Sequence, residues 1–118
     1  MLYLPWVKSV NNKWLKLSDL DYAQIQTQGV YIIWHGGDAP AVVRVGSGNI
    51  GQKLKEHYNN MIIRRYEKRG QLMVTWAEVE SHLSISGIEN YLIELCRPIV
   101  SDIRPEAEPL PVRSPFLG

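Results

Sequence analysis

The sequence predicts a small α/β domain of the α+β kind, in which helices flank a three-stranded, mainly antiparallel sheet in the order ββαβα. Two β-rich runs at 30–34 and 41–45 are separated by the turn residues of 35–40, which is typical of a hairpin. An amphipathic helical pattern follows the second β-rich run, and another follows a third. The length of 118 residues, 45% of them hydrophobic, suits one modest core.

One domain is expected over residues 1–118, with a core at 29–102. The segment 1–28 is mixed in character and is predicted to be an N-terminal embellishment. Five of the seven prolines fall within the last 21 residues, so the proline-rich segment 103–118 is predicted to be an extended tail that packs on the domain. No internal repeat is visible, and function is therefore sought in one core.

The first helix is predicted to follow the hairpin directly. Asn49 is suited to cap it, with Gln52 three residues later. The apolar residues that recur at helical spacing are Ile50, Leu54, Tyr58 and Met61. On this helix His57 lies between Ile50 and Met61, so we expect His57 to be partly buried.

The third strand is predicted over residues 72–79, after a break at Gly70. The last helix begins at Ser84 or at Ser86, because either hydroxyl can cap it. Pro98 stops this helix, since proline lacks the amide that a helix interior needs. The two elements complete the predicted ββαβα order.

Simple counts exclude a membrane-spanning segment and an intramolecular disulfide. The longest uninterrupted apolar run, 30–34, is far below the roughly 20 residues that span a bilayer. The single cysteine, Cys96, cannot form an intramolecular disulfide or a CxxC metal site, which favours a reducing compartment, the cytoplasm. Cys96 lies on an apolar helix face and is expected to be inert, whereas His35 and His82 are expected at the surface in loops.

The net charge of +1 hides an uneven distribution. Between positions 53 and 69, six basic residues stand against two acidic ones. Such a stretch is typical either of a solvated helix or of a face that binds a polyanion. For a nucleic-acid partner, the residues that would hold backbone phosphates are Arg64, Arg65, Lys68 and Arg69.

Glu89 is the carboxylate that stands out on the last helix. At about 100° per residue it falls inside the apolar arc around Ile88, whereas Asn90 and Glu94 point away. A carboxylate among apolar neighbours needs a cation, a hydrogen-bond partner or a proton. A divalent metal meets that need, and so does a capping box in which Glu89 binds back to the Ser86 amide.

Four further residues are candidates for chemistry. Lys53 and His57 are four residues apart and share one helix face. Strand alternation places Tyr31 with Ile33, and Arg44 with Val42. An arginine in an apolar strand is either at a solvated face or directed at an anion, and we favour the anion.

These residues occur in an order that resembles the GIY-YIG nuclease domain. Gly29-Val30-Tyr31 matches the first strand motif, and Arg44-Val45-Gly46 matches the second. A helix with Lys53 and His57 follows, and a later helix carries Glu89. The likeness covers residues 29–102 and implies a metal-dependent endonuclease acting on nucleic acid, DNA being the expected substrate.

The resemblance also implies a role for each residue. Glu89 would hold one Mg²⁺ or Mn²⁺ ion, and Arg44 with Lys53 would neutralise the phosphate. Tyr31 would activate the attacking water, its phenol losing its proton more easily than a free tyrosine, and His57 would assist. The resemblance thus implies catalytic roles for Tyr31, Arg44, Lys53, His57 and Glu89. Gly46-Ser47-Gly48, ahead of the helix, is expected to offer backbone amides to a phosphate, with Ser47 at its centre.

Two departures from the family pattern keep alternatives open. Arg44 stands where the first tyrosine of the second motif is usual, and Lys53 stands where the helix arginine is usual. They favour a nucleic-acid-binding module that is catalytically weak or inactive. A protein-interaction domain with Glu89 as a cap is the third possibility, and an active domain of this size is expected to need a dimer or partner subunit for site specificity.

Overall fold

The computed structural model describes residues 1–101 and 104–116, which form an antiparallel sheet with helices on both faces. The strands are β1 (Leu15–Lys16), β2 (Gln28–His35), β3 (Ala41–Asn49) and β4 (Leu72–Glu78), in the spatial order β1-β4-β2-β3. The helices are α1 (Ile50–Tyr58), α2 (Met61–Arg64) and α3 (Ile85–Cys96). The predicted α+β class is confirmed, and all pairings between these strands are antiparallel.

The predicted three-stranded sheet is wrong by one strand. β1 comes from the N-terminal segment and pairs with β4 through Leu15 opposite Val74 and Lys16 opposite Met73. Two residues are too few to show a period-two pattern, so the sequence carries no signal for β1. The same segment contributes Leu17, which is fully buried in the core.

The predicted hairpin of β2 and β3 is confirmed, but β3 is longer than expected. It continues through Gly46-Ser47-Gly48, which pairs with residues 29–31 of β2. The expected phosphate-binding loop ahead of α1 is therefore wrong, because these residues are part of the sheet. Gly29 allows close approach on the other side, since a Cβ there would lie 2.0 Å from the Ala77 carbonyl oxygen of β4.

α1 begins where the sequence predicts, because the Gln52 amide donates to the Asn49 side chain at 3.0 Å. It ends at Tyr58, earlier than the apolar spacing predicts. Asn60 then caps α2 by accepting from the Ile62 amide at 2.8 Å. The expectation that Met61 shares the buried face of His57 is therefore wrong, since Met61 is 81% exposed.

α3 begins after Ser84, whose hydroxyl accepts from the Gly87 amide at 3.0 Å. Ser84 is thus the cap, and the alternative start at Ser86 is wrong. The expectation that Asn90 points into solvent is also wrong, because its side chain donates to the Ala107 carbonyl at 2.7 Å. The proline-rich tail packs against this side of α3, and it buries Val112 against the rest of the domain.

The sheet carries apolar side chains on both faces, and each face has its own helices. The α1 face contains the buried residues Tyr31, Ile33, Ile50, Leu54, Ile63, Leu72, Val74 and Trp76. The α3 face contains Val30, Ile32, Trp34, Val45, Ile88 and Leu92. The predicted boundary between core and tail falls at residues 102 and 103, which lie outside the described residues. No helix in the described ranges is long and apolar enough to cross a membrane.

Candidate active site at the edge of the sheet

Tyr31 lies on the α1 face of β2, where it is 1% exposed. It pairs with Gly46 of the edge strand β3. A Cβ atom at Gly46 would lie 2.2 Å from the Tyr31 hydroxyl oxygen, so only a glycine lets the ring cross the neighbouring strand. The phenol is thereby carried from an inner strand to the edge of the sheet.

His57 meets this phenol from α1. The Tyr31 hydroxyl and His57 Nε2 are 2.5 Å apart, and the two rings are 5.4 Å apart between centroids. His57 is 9% exposed, so the predicted burial of this side chain is confirmed. A hydroxyl and an imidazole nitrogen at this separation share a proton in one hydrogen bond, whose direction depends on the histidine tautomer.

Arg44 also reaches Tyr31, because a bulge in β3 turns it to the α1 face. Ile33 pairs with Arg44, but Trp34 pairs with Val42, so Val43 is an extra residue on β3. The expectation that Arg44 shares a face with Val42 is therefore wrong. The Arg44 guanidinium lies close enough to the Tyr31 phenol to lower its pKa.

The electrostatics of Tyr31 are dominated by its burial. Burial raises the pKa of its phenol to about 12, although Arg44 acts in the opposite direction. The charges of Glu89 and Glu56 add to the increase. In the chain alone, desolvation of a phenolate therefore outweighs the nearby guanidinium, and the prediction of an easily ionised phenol beside a bound metal ion stays a prediction.

Glu89 approaches the site from α3, on the other face of the sheet. Its Oε1 accepts a short hydrogen bond from the Ser47 hydroxyl of β3. The capping-box alternative is wrong, since Ser84 caps the helix and Glu89 lies beyond its first turn. Ser47 holds the carboxylate, and its predicted contact with nucleic acid stays a prediction.

Lys53 lies at the rim of the site. Its side chain packs over Gly48, where an added Cβ would be 3.3 Å from the Lys53 Cε atom. Its Nζ is 4.0 Å from a carboxylate oxygen of Glu56, and the lysine side chain is 43% exposed. Glu56 was not predicted as a site residue, and only its position next to His57 links it to the motif.

Side chains from three elements therefore lie around one phenol, and a carboxylate from a fourth element acts on it through its charge. Tyr31 comes from β2, Arg44 from β3, His57 from α1 and Glu89 from α3. The arrangement combines a proton-sharing pair, a guanidinium and a carboxylate. Such a set can bind an anion and transfer a proton next to it.

The predicted nucleic-acid residues lie apart from this cluster, on α2 and the 3₁₀ turn 65–68. Arg64 is tied down, since its Nε is 3.1 Å from Glu67 and its Nη1 donates to the Tyr58 carbonyl. Arg65 and Arg69 lie over the Tyr66 ring at 5.3 and 5.7 Å. Lys68 is exposed on the same turn. These four cations form one surface after α1.

A cation site can be tested against the residues present. Within the described ranges, no group of three or more His, Cys, Asp or Glu side chains is arranged to hold a metal. A structural metal cage does not fit such a chain. Mg²⁺ fits better, because it keeps several water ligands and binds through one or two carboxylates together with substrate phosphates. Glu89 is the carboxylate in position for this.

The structure also bears on the predictions for His35, His82 and Cys96. His35 is 2% exposed and stacks on Tyr66 with an interplanar angle of 1°, so its prediction as a surface loop residue is wrong. It ends β2 on the α1 face, and its Nδ1 is 2.9 Å from the Gly36 carbonyl. His82 is exposed as predicted, beside Glu80. Burial raises the pKa of the Cys96 thiol to about 11, in agreement with an inert side chain.

Comparison of the chain with protein-family models, with curated proteins and with solved structures gives no match. Function is therefore inferred from the geometry of these side chains.

Proposed function

We propose that the chain is a metal-dependent endonuclease that hydrolyses phosphodiester bonds of nucleic acid, with DNA as the expected substrate. One observation carries the proposal: the Tyr31 phenol is 2.5 Å from His57 Nε2 and lies close enough to Arg44 for the guanidinium to lower its pKa. Glu89 lies close enough to raise the pKa of that phenol. These residues are the ones on which the resemblance to GIY-YIG nucleases depends.

The proton step follows from the Tyr31 pKa. With a value of about 12 the phenol keeps its proton at neutral pH. The Tyr31 oxygen therefore accepts a proton from the attacking water while its own proton passes to His57 Nε2. No phenolate needs to accumulate, and the histidine takes up the charge.

The phosphate is bound by the cations of the site. Arg44 offers a planar fork of donors that suits two phosphate oxygens, while Lys53 supplies a single mobile charge. Since Arg44 also lies close to the Tyr31 phenol, it places the phosphate next to the group that activates water. Lys53 at the rim attracts the substrate with less geometric control.

Glu89 would hold the Mg²⁺ or Mn²⁺ ion. The Ser47 hydroxyl donates to Oε1 of this carboxylate and so holds it in place. When bound, the ion stabilises the negative charge that develops on a phosphate oxygen. The role of the protein is to fix the carboxylate beside the phenol.

A supercoiled-plasmid nicking assay in Mg²⁺ or Mn²⁺ tests this proposal. We expect Glu89→Gln to reduce the nicking rate by at least about 100-fold, as for other groups that stabilise developing charge. Glu94→Gln on the same helix is the matched control, because Glu94 pairs with Arg104 rather than with the site. Equal nicking by the parent and Glu89→Gln would show that the site is not responsible.

A binding module without hydrolysis is the second candidate. The exposed Lys53, 4.0 Å from Glu56, is the observation that favours it, since a lysine so placed holds phosphate weakly. In that case the parent binds nucleic acid with a steep salt dependence but nicks no plasmid or branched DNA. We place the protein in the cytoplasm on the strength of its single cysteine, and expect a dimer or partner to supply site specificity.

A further inference from the structure

Two consecutive apolar side chains project from α2 into solvent. Met61 is 81% exposed and Ile62 is 53% exposed. Exposing two such side chains together is costly, because transferring apolar surface out of water is favourable. The proposed hydrolysis assigns no role to either residue.

Several contacts hold this pair in its outward position. The Asn60 side chain accepts from the Ile62 amide at 2.8 Å. Ile63, the next residue, is 1% exposed and anchors the turn in the core of the α1 face. Arg64 Nη1 donates to the Tyr58 carbonyl at 3.0 Å, which ties α2 back to α1. The pair is therefore displayed on a fixed turn.

The surroundings of the pair are basic. Exposed cations precede and follow it, with Lys55 on α1 and Arg65, Lys68 and Arg69 on the next turn. Of the two acidic residues in this stretch, Glu67 is engaged by Arg64 at 3.1 Å. An apolar tip within a positive field is suited to a polyanion that also offers flat apolar surfaces, which describes the bases of nucleic acid.

The pair lies close to the candidate site. The Asn60 amide donates to the His57 carbonyl at 3.1 Å, so α2 starts directly after the turn of α1 that carries His57. Four residue steps extend over at most ~14 Å. The pair therefore lies within about four base-pair steps of His57, at 3.4 Å for each step.

We propose that Met61 and Ile62 form an apolar wedge that inserts between bases a few steps from the bond that is cleaved. The inference rests on the proposed function and adds a substrate class to it. Insertion of apolar side chains unstacks a base step and kinks the duplex. The favoured substrates are then sites where stacking is weak: flexible pyrimidine–purine steps, mismatches and branch points.

A protein partner suits this surface less well. Stable protein interfaces bury about 800 Å² on each side around an apolar centre. Two side chains ringed by cations do not provide such a centre. Self-association through α2 faces the same objection, since two copies would bring like charges together.

The test uses a duplex with 2-aminopurine, whose fluorescence rises when the base is unstacked. All proteins carry Glu89→Gln, so that binding is observed without cleavage. We expect the parent background to give a several-fold rise, and Met61→Ala/Ile62→Ala to abolish it and to weaken binding about tenfold. Val10→Ala is the matched control, because Val10 is fully exposed and lies outside the basic surface.

The salt dependence separates the wedge from the phosphate contacts. The Met61→Ala/Ile62→Ala protein, here the wedge variant, should keep the slope of log K against log salt. Arg65→Ala should reduce that slope by about one. An unchanged fluorescence rise in the wedge variant overturns the inference. The inference is also overturned if the parent background does not bind the duplex. A parent dimer that becomes monomeric in the wedge variant overturns it as well.

Failure of the wedge and failure of the proposed function are distinguishable. Nicking by the protein with Glu89 intact, together with no unstacking, keeps the hydrolysis and rejects the wedge. Unstacking that depends on Met61 and Ile62, together with no nicking, keeps the wedge and rejects the hydrolysis.

Discussion

The two faces of the sheet share the same strands but bury different kinds of side chain. On the α3 face the buried cluster is built from aliphatic residues and Trp34. On the α1 face, Tyr31 and His57 are buried among aliphatic residues, and His35 lies at the far end of β2. The difference indicates that the α3 face mainly stabilises the fold, apart from Glu89 at the edge strand, while the α1 face holds the other polar groups of the candidate site.

The two faces should respond differently to change. Apolar contacts are non-directional, so the α3 face loses stability in proportion to the volume removed. Buried polar groups are stable only with their partners in place. The α1 face therefore depends on a few specific contacts, such as that between Tyr31 and His57 at 2.5 Å.

The largest expected effect on stability is at Leu92, which is fully buried on the α3 face. Leu92→Ala should reduce the free energy of unfolding by about 3 kcal/mol, because it leaves a cavity. Urea titration measures the loss. If the α3 face mainly stabilises the fold, the folded Leu92→Ala protein should nick plasmid at the parent rate at low temperature. A nicking defect under those conditions would contradict this difference between the two faces.

Gly46→Ala should affect both stability and activity. A Cβ atom 2.2 Å from the Tyr31 hydroxyl oxygen forces the ring to move, at a cost of about 2 kcal/mol. The nicking rate should fall in parallel, since the contact with His57 is displaced. Gly36→Ala is the control, because an added Cβ there meets nothing within 4 Å. Equal stability of the two variants would show that the ring has room.

Ser47→Ala should have a smaller effect that is limited to the cation. Ser47 donates to Oε1 of Glu89, and removing such an orienting bond weakens metal binding by about tenfold. The measured quantity is the Mg²⁺ concentration that gives half the maximal nicking rate. Recovery by Ser47→Thr, which keeps the hydroxyl, distinguishes orientation of Glu89 from a packing defect.

The smallest expected effect is at alkaline pH. Burial raises the pKa of Tyr31 from 10.0 to about 12, so the folded state binds this proton more tightly than the unfolded state. The resulting stability is present in full below pH 10 and is lost as the pH rises toward 12. At pH 11 the loss amounts to about 1 kcal/mol.

Tyr31→Phe should remove this part of the alkaline loss, as urea titrations at pH 9 and pH 11 can show. Tyr22 is the comparison, because burial also raises its pKa to about 12 although it lies away from the site. Identical pH dependence of Tyr31→Phe and the parent would contradict the raised value.

Local features of the fold were predictable from the sequence. The hairpin of β2 and β3, and the cap at Asn49, depend on neighbouring residues alone. Burial of His57 followed from its position on the helix. The order of Tyr31, His57 and Glu89 along the chain predicted a shared candidate site, and two of them, Tyr31 and His57, are in contact.

Features that depend on distant partners were not predictable. The bulge at Val43 turns Arg44 to the α1 face, and no local pattern marks it. His35 is buried by Tyr66, which comes 31 positions later in the chain. The helical wheel singled out Glu89 but could not identify Ser47 as its partner, because the strand and helix meet only in the folded protein.

The position of β3 at the edge of the sheet has a further consequence, for solubility. An exposed strand edge is a template on which other chains add strands and aggregate. Residues 99 and 100 donate to the carbonyls of Val42 and Val43 and cover one part of β3. Along the rest, Arg44 is part of β3 and Lys53 packs over Gly48, and charged side chains at a strand edge disfavour strand addition. Neutralising them for activity studies should make the protein more prone to form fibrils.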